Sequence, residues 1–546
     1  STLFDRKVGE ILGEEHKEEI LFYDLMTGLK SAKDDPRLKQ VYIKMSNFSG
    51  GFAQLRELTA AIDEIKKSGK KVIVFADNYN QKQYLVASAA SQVYLDPEGS
   101  VSLEGLSSYR QYFREALQDK LGVNVHLFRV GEFKSAAEPF IMDHASVDAK
   151  EADFFWMSDI WKRYLYDLKN YRGIDPQKLQ NQINNMPKEV KDANGNLALV
   201  AVNQKLVDGL MTEQQVENML KKSGATNDDG SLLYVTMRDY NRSLQAARAA
   251  NKFIHSQSVA VLVAQGEIKD QDGSNEDIDA EEFSQMIRDV REDKNVKALV
   301  LRVDSPGGGV VGSEKIRREV ELFKSSGRPV VVSMGNTAAS GGYWISMNAD
   351  TIYADQSTVT GSIGIFGLIP NVAKTLDKIG VHTDGVGTTK MAGSFDITRP
   401  FSEEEKDMVQ QVINYGYLKF INKVSRARDL SVTDVDKVAR GRVWSGEQAF
   451  ERKLVDKKGG LFAAIAEASR LANLEKPQVF LVEPKMSPFE EWFMSFNENA
   501  MTRMIGDKTS LSYIVAKNDR LIKEALKSNK TGLSSIKAYA HCECGL

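Results

Sequence analysis

The chain has 546 residues, of which 42% are hydrophobic and 27% are charged. This usage is close to that of ordinary globular proteins and excludes disorder as the main state, because there is enough apolar material for hydrophobic cores. The 72 Lys and Arg side chains nearly balance the 75 Asp and Glu side chains, and the formal net charge is −3. Such a balance gives no reason to predict nucleic-acid binding.

The first predicted elements fall between residues 41 and 75, which read VYIKMSNFSGGFAQLRELTAAIDEIKKSGKKVIVF. An apolar strand-like run is followed by a glycine pair, an amphipathic helix, a Ser-Gly turn and a second β-branched run. Residues 299–333, LVLRVDSPGGGVVGSEKIRREVELFKSSGRPVVVS, repeat this order. The positions that share one face of the two predicted helices are Leu58, Ile62 and Ile65 in the first and Ile316, Val320 and Phe323 in the second.

Strands that alternate with helices predict an α/β fold with a largely parallel sheet, and the internal repeat predicts two such domains in tandem. We place the first repeat at 1–250 and the second at 251–480. A long helix rich in polar and aromatic residues is predicted near 148–172 in the first repeat and near 402–427 in the second. The remainder, 481–546, is predicted to be a mostly helical C-terminal extension.

The first repeat is predicted to lack its first strand. The second repeat opens with the apolar run VAVLV at 259–263, well before its 299–303 strand. The matching place in the first repeat falls at or before residue 5, where there is no such run. We therefore expect the natural chain to extend upstream of Ser1, with any signal peptide or membrane anchor on that part. No run in this sequence approaches the roughly 18 apolar residues that span a bilayer.

The two cysteines, Cys542 and Cys544, lie within the last five residues, which excludes a disulfide-stapled fold. Together with the neighbouring His541 they supply too few ligands for a closed zinc site. Whether the two thiols pair is left open by the sequence.

A candidate nucleophile, Ser340, lies in the second repeat. It belongs to the segment NTAASGGYW at 336–344, which follows the strand-like run VVVSM at 330–334. A serine at a strand-to-helix turn with small neighbours can direct its hydroxyl into a cleft, and the N–H of Gly341 would then face a developing anion from a helix start. In the first repeat, Gln81 or Lys82 stands at the matching place, so one serine site is predicted for the chain, not two.

A second candidate motif is the loop DSPGGG at 304–309, which ends another predicted strand. Its glycines let backbone N–H groups approach a substrate carbonyl. The N–H groups of Gly341 and of a loop glycine, best placed at Gly308, would form an oxyanion hole. The alternative interpretation is structural, namely a Ser-Gly helix start beside a tight turn.

A serine hydroxyl needs a base to take its proton. None of the six histidines lies in a recognisable triad signature; they are His16, His126, His144, His255, His382 and His541. Lysine is the other known partner, provided that burial lowers its pKa towards neutrality. Lys134 is a candidate because it ends a partly apolar run and enters a turn of small residues, within FRVGEFKSAAEPF at 128–140.

Four motifs, taken in order, resemble the signal peptide peptidase A family (protease IV) in its long form with two repeats. They are FRVGEFKSAAEPF at 128–140, DSPGG at 304–308, ASGGYW at 339–344 and TGSIGIFG at 360–367. The resemblance extends over nearly the whole chain, apart from about the first 20 residues and the part after about 480. It implies a crotonase/ClpP-like fold and a serine endopeptidase without metal or organic cofactor.

The resemblance also implies roles for particular residues. Ser340 would be the nucleophile and Lys134 the general base and acid, while Ser362 would orient the lysine. Lys390 in the second repeat aligns with Lys134, but its surroundings lack the family motif, so Lys134 is preferred. The substrates implied are released signal peptides and other hydrophobic peptides. The assembly implied is a homotetramer, anchored in the cell inner membrane upstream of this chain and facing the periplasm.

Two other hypotheses remain at this stage. A crotonase-type enzyme acting on acyl-CoA thioesters would use the same oxyanion geometry without a nucleophilic serine. A non-catalytic, peptide-binding relative would need no intact motifs, and the presence of all three motifs around Ser340, Gly308 and Lys134 argues against it.

Overall fold

The computed structural model of the protein describes residues 21–46, 48–224, 226–250, 257–270, 277–475, 477–483 and 539–541. Strands and helices alternate along most of this length, which confirms the predicted mixed α/β class. The elements up to residue 250 are α1 (Phe22–Asp34), β1 (Gln40–Lys44), α2 (Phe52–Lys67), β2 (Lys71–Asn80), α3 (Gln81–Ser88), β3 (Gln92–Ser102), a π-helical segment (Glu115–Leu121), β4 (Asn124–Arg129), α4 (Glu138–Ile141), α5 (Val147–Arg172), α6 (Pro176–Asn184), α7 (Met186–Asp192), α8 (Leu197–Asn203), β5 (Gly209–Leu210), α9 (Glu213–Ser223) and α10 (Met237–Ala250).

The elements of the second half follow the same alternation. They are β6 (Ser258–Gln265), β7 (Ile268–Lys269), β8 (Ile278–Asp279), α11 (Ala280–Glu292), β9 (Val296–Ser305), β10 (Gly307–Gly309), α12 (Val310–Ser325), β11 (Val330–Ala339), α13 (Gly341–Ser346), β12 (Thr351–Ala354), β13 (Val359–Gly361), β14 (Phe366–Asn371), α14 (Ala373–Lys378), α15 (Glu403–Arg428), α16 (Val432–Val438), β15 (Val443–Ser445), α17 (Gly446–Glu451), β16 (Lys457–Lys458), α18 (Leu461–Leu471), β17 (Gln478–Leu481) and β18 (Tyr539–His541).

Each repeat is built around a mainly parallel sheet. In the first repeat the strand order is β1-β2-β3-β5, and every pair is parallel. In the second the order is β15-β13-β11-β9-β6-β17; β12 also pairs with β11, and β16 pairs with β12. Alternate residues of β6 pack into two different cores, Ala260 and Leu262 on one face and Val259 and Val261 on the other. Continuous apolar runs form such strands because helices cover both faces of a parallel sheet.

The duplication is visible in matching helices. Helices α2 and α12 each have 16 residues and begin directly after a glycine, and all six apolar positions predicted for their inner faces are buried. Helices α5 and α15 each have 26 residues and lie where the two long helices were predicted. Within the described residues β1 is the edge strand of its sheet, whereas in the second repeat β6 pairs with the corresponding strand, β9.

A third sheet connects the two halves of the chain. Strand β4 of the first repeat pairs antiparallel with β14 of the second, from Arg129 opposite Phe366 to Asn124 opposite Asn371. On the far side of β14 the order continues as β18-β10-β7-β8. This pairing carries the segment after β4, including Lys134, into the second repeat.

Largely buried ion pairs connect the two repeats. Arg56 on α2 donates to Asp167 on α5 at 2.7 Å and to Asp355, after β12, at 2.8 Å. Arg302 on β9 pairs with Glu57 at 3.0 Å, and both side chains are largely buried. Because a buried charge is costly unless it is paired, docking that separated the repeats would leave these groups without their partners.

The predicted helical extension at 481–546, with Cys542 and Cys544, lies outside the described residues except at 481–483 and at 539–541, and the latter form β18. The domain boundaries at 250 and 480 stay predictions. Among the helices that the structure describes, none is both long enough and apolar enough to cross a bilayer.

Candidate active site

Ser340 lies at the junction of a central strand and a short helix. Strand β11 ends at Ala339 and α13 begins at Gly341, so Ser340 forms the turn between them, with φ 56° and ψ −112°. A positive φ is strained for a residue with a Cβ and is found most often where the surrounding structure imposes it at a functional site. Here the Ser340 N–H donates to the Gly361 carbonyl at 2.9 Å, which holds the turn.

Gly341 is required by the close approach of a second loop. A Cβ atom at this position would lie 2.6 Å from the Ser313 hydroxyl oxygen and 3.1 Å from the Gly308 backbone nitrogen. The backbones of these two glycines therefore converge beside Ser340. Gly308 itself has φ 152°, and a Cβ there would meet the Ile268 carbonyl oxygen at 2.0 Å.

Lys134 reaches this place from the first repeat. It follows the end of β4, and its side chain is only 2% exposed. Its Nζ lies 2.9 Å from the Ser340 Oγ, 3.0 Å from the Ser362 Oγ and 3.1 Å from the Ser362 carbonyl oxygen. The predicted serine, lysine and second serine thus meet, although the lysine and the two serines come from different repeats.

Burial lowers the pKa of the Lys134 amine from its usual value to about 7. The cause is desolvation, because a charged ammonium loses its hydration in an apolar enclosure and the neutral form is favoured. The ring of Phe366 is centred 6.0 Å from the Nζ, and the contacts within hydrogen-bond distance are uncharged. At neutral pH a large fraction of this amine is uncharged and able to accept a proton.

Ser362 is held by the strand that precedes it. Strand β13 pairs with β11 on one side and with β15 on the other, where Gly361 lies opposite Val443. The Ser362 N–H donates to the Arg442 carbonyl at 2.7 Å, and the residue has φ 48°. Its carbonyl and hydroxyl oxygens both face the lysine amine.

The loop that precedes Ser340 is fixed by side chains from both repeats. The carboxylate of Asp304 accepts from the Thr337 N–H at 2.9 Å and from the Asn336 amide at 3.0 Å. The same Asn336 amide donates to Gln54 of the first repeat at 2.8 Å. Asp304, predicted as part of the glycine loop, therefore supports the loop that carries the serine.

The glycine loop also accepts an extended backbone. Strand β10, which contains Gly307 and Gly308, pairs antiparallel with β18, and Gly308 lies opposite Ala540. Residue 539 is also paired with Phe366 at the start of β14. The chain's own residues 539–541 thus lie as a strand between β10 and β14, and these strands flank the position of Ser340.

Other candidates lie away from this cluster. Gln81 begins α3, and its side chain bonds the backbone of Gly105, so no hydroxyl stands at the matching place in the first repeat. Lys390 is exposed on the loop between α14 and α15. His126 is half-buried against Phe401, and His382 is exposed beside Asp377.

Two features of the site were not recognised in the sequence. Gly441, between α16 and β15, touches Lys134 from the second repeat, and no motif marks it. Glu138 lies within the motif that contains Lys134 and is completely buried. A glutamate inside a turn of small residues was the available signal, since a glutamate is almost never fully buried unless it is paired.

Comparison of the sequence with known proteins identifies one peptidase family. The sequence profile of peptidase family S49 matches residues 64–227 and 322–475, one segment in each repeat. The two segments contain Lys134 and Ser340, respectively.

Three relatives that match most of this chain carry protease names. "Protease 4" of Salmonella typhi is 40% identical over 84% of this chain and 73% of the relative, and "Protease 4" of Haemophilus influenzae is 36% identical over 92% and 80%. "Serine protease SPPA, chloroplastic" of Arabidopsis thaliana is 30% identical over 82% of this chain and 65% of the relative.

Proposed function

The chain belongs to peptidase family S49 and is a serine protease, and on that premise we propose that it cleaves peptide bonds with a dyad of Ser340 and Lys134. The observation that carries this proposal is the 2.9 Å separation between the Lys134 Nζ and the Ser340 Oγ. A base must lie within hydrogen-bond distance of the proton that it removes, about 2.6–3.2 Å between heavy atoms.

The contacts of Lys134 define how it would act. A neutral amine has two N–H donors and one lone pair. With its two donors directed at the Ser362 carbonyl and hydroxyl oxygens, the lone pair is left for the Ser340 hydroxyl. Ser362 thereby orients the base, and the low pKa of Lys134 keeps the lone pair available near neutral pH.

The reaction is an acyl transfer in two halves. Lys134 takes the proton of Ser340, and the Oγ attacks the peptide carbonyl to form a tetrahedral intermediate. The N–H groups of Gly341 and Gly308 stabilise its oxyanion; losing one such donor typically costs about 10²–10³ in rate. The lysine ammonium protonates the departing amine, and water then hydrolyses the acyl-enzyme by the same route.

The substrate is proposed to bind as an extended strand between β10 and β14. In support of this, the chain's own residues 539–541 pair antiparallel with the glycines of β10. Strand addition of this kind gains its affinity from main-chain hydrogen bonds. From the resemblance to signal peptide peptidase A, we propose released signal peptides and other hydrophobic peptides as substrates.

The remaining family properties are proposals on the same ground. They comprise a crotonase/ClpP-like fold for each repeat and assembly into a homotetramer. They also place the protein at the cell inner membrane, facing the periplasm, with an anchor upstream of this chain. Cleavage of a synthetic signal peptide, compared with its intact preprotein, tests the substrate class.

Three variants test the dyad. Ser340→Ala and Lys134→Ala should each abolish cleavage of a quenched fluorescent peptide and leave the circular dichroism spectrum unchanged. Labelling by a fluorophosphonate should disappear in Ser340→Ala. Lys390→Ala is the matched control, because Lys390 is the exposed lysine at the aligned place in the second repeat. Full activity of Lys134→Ala would refute the dyad.

A further inference from the structure

Glu138, four residues after Lys134, is a completely buried carboxylate, and it pairs with Arg129, five residues before the lysine, at 3.2 Å. We propose that Arg129 and Glu138 form a positioning pair that fixes the turn carrying Lys134 and keeps the charge on that turn balanced. This inference rests on the proposed role of Lys134 as the base. Neither residue touches the reacting atoms, so both would act through the lysine.

The geometry shows how the pair holds the turn. One guanidinium nitrogen of Arg129, Nη1, donates to the Lys134 carbonyl at 2.9 Å and also reaches the Glu138 carboxylate. That carboxylate accepts from the Ser146 N–H at 3.0 Å and from the Ser146 hydroxyl at 2.8 Å. Ser146 in turn caps α5 by accepting from the Ala149 N–H at 3.1 Å.

These bonds link three elements around the lysine. Arg129 ends β4, Glu138 begins α4, and Ser146 is the N-cap of α5. Arg129 of β4 bonds the backbone carbonyl of Lys134 directly. The Glu138 carboxylate links Arg129 to α4 and to Ser146 at the start of α5. A side chain that must place its amine 2.9 Å from a nucleophile needs such support, because a displacement of about 1 Å can cost about 100-fold in rate.

The pair also has an electrostatic consequence. A lone carboxylate beside Lys134 would favour its protonated form, and a lone guanidinium would favour its neutral form. Paired, the two charges largely cancel, and desolvation is the cause that lowers the pKa of Lys134. The pair therefore lets burial alone determine how readily the amine accepts the serine proton.

Other charged groups near the turn also have partners of opposite charge. On the elements packed around it these include Glu132 on the same turn, Glu151 and Asp153 on α5, Asp436 on α16, and Arg440 and Arg442 before β15; Arg110 lies 3.9 Å from Asp153. Arg440 pairs with Asp436 at 2.8 Å and lies 3.5 Å from Glu132, and Arg442 lies 3.6 Å from Glu151. Arg129 differs from these arginines in that it bonds the backbone of Lys134 itself.

The test is the pH dependence of single-charge variants. Activity rises as Lys134 loses its proton, so the acid limb of the profile follows the pKa of the lysine. Arg129→Gln leaves the Glu138 carboxylate unbalanced and should move the limb to higher pH. Glu138→Gln leaves the guanidinium unbalanced and should move it to lower pH. Each shift should be on the order of one pH unit.

The double variant separates charge from geometry. The double variant, Arg129→Gln with Glu138→Gln, restores a net charge of zero at the pair. Its acid limb should therefore return close to that of the wild type, although kcat stays low. Arg129→Lys keeps the charge but loses the guanidinium whose Nη1 bonds both the Lys134 carbonyl and Glu138, and it should lower kcat without moving the acid limb of the profile. If Arg129→Gln does not fold, Glu138→Gln, the double variant and Arg129→Lys carry the test. Arg114→Gln, which breaks a pair with Asp143 at 2.6 Å, is the control and should leave the limb unchanged.

The measurements are kcat/KM on a peptide and the rate of fluorophosphonate labelling of Ser340, from about pH 5 to about pH 9. Opposite shifts in the two single variants support the proposal. The proposal is overturned if the acid limbs of both single variants move in the same direction, or if the rate falls while the acid limb stays in place. Arg129 and Glu138 would then be structural residues only. If Lys134→Ala keeps the wild-type acid limb, the dyad itself is wrong, which is a distinguishable result.

Discussion

Gly441 of the second repeat lies directly against Lys134 of the first. A Cβ atom on Gly441 would stand 2.7 Å from both the Cβ and the backbone nitrogen of Lys134. Gly441 has φ 80°, and its N–H donates to the Ile363 carbonyl at 2.9 Å, next to Ser362. The position of the proposed base thus depends on how closely the loop before β15 can approach, and that loop permits no side chain here.

Gly441→Ala should therefore displace Lys134. We expect kcat/KM to fall by about 100-fold, as for a misplacement of roughly 1 Å. Gly327→Ala is the matched control, because Gly327 has φ 79° and nothing within 4 Å of its Cβ position. Both variants carry the strain of a positive φ, of about 1 kcal/mol. Only Gly441→Ala should lose activity, and equal activity of the two would show that the contact does not matter.

The pKa of Lys134 predicts the pH profile. Since the proposed mechanism requires the neutral amine, whose pKa is about 7, kcat/KM should fall about tenfold per pH unit below that value and level off above it. The profile is measured with a peptide whose own groups do not titrate in this range. A profile that stays flat down to about pH 5, or one that rises only near the usual lysine pKa of about 10.4, would contradict a buried neutral base.

The same pKa predicts a cost to stability. The unfolded chain binds a proton on Lys134 up to about pH 10.4, whereas the native protein releases it at about pH 7. The free energy of unfolding contributed by this group therefore rises with pH between these two values. The cost of burying the protonated amine is largest at and below the native pKa. Lys134→Met removes the penalty, so its gain in Tm over the wild type should be larger at neutral than at alkaline pH.

The control for this stability prediction is Lys390→Met, which changes an exposed lysine and should show no such pH-dependent difference. Thermal unfolding followed by circular dichroism gives both values. A difference in Tm between Lys134→Met and wild type that grows with pH would show that the amine is protonated in the native protein.

Docking of the repeats should depend on Arg56. Arg56→Gln leaves two largely buried carboxylates, Asp167 and Asp355, without their partner. Breaking a buried network in this way costs about 3–5 kcal/mol. We expect a lower unfolding free energy in urea and a loss of activity, because the proposed base and the proposed nucleophile come from the two repeats that this contact joins. Arg37→Gln, which removes an exposed guanidinium from a pair within the first repeat, should have little effect on either.

Much of the fold follows from local pattern. The spacing of Leu58, Ile62 and Ile65, repeated by Ile316, Val320 and Phe323, identified two amphipathic helices and hence the duplication. Ser340 could be placed at a turn because a β-branched run precedes it and two glycines follow. These inferences succeed because periodicity and turn chemistry act between residues that are close in the chain.

The sequence alone determined the repeat, the α/β class, the candidate serine and a short set of lysines. Only the tertiary structure decided which lysine meets the serine: Lys134 is buried within 2.9 Å of the Ser340 Oγ, whereas Lys390 is exposed. The contact between Gly441 and Lys134, and the hydrogen bonds of Arg129 and Glu138 around the lysine, were also visible only in the tertiary structure. The physical reason is that burial and a lowered pKa arise from atoms contributed by distant parts of the chain, which no local pattern encodes.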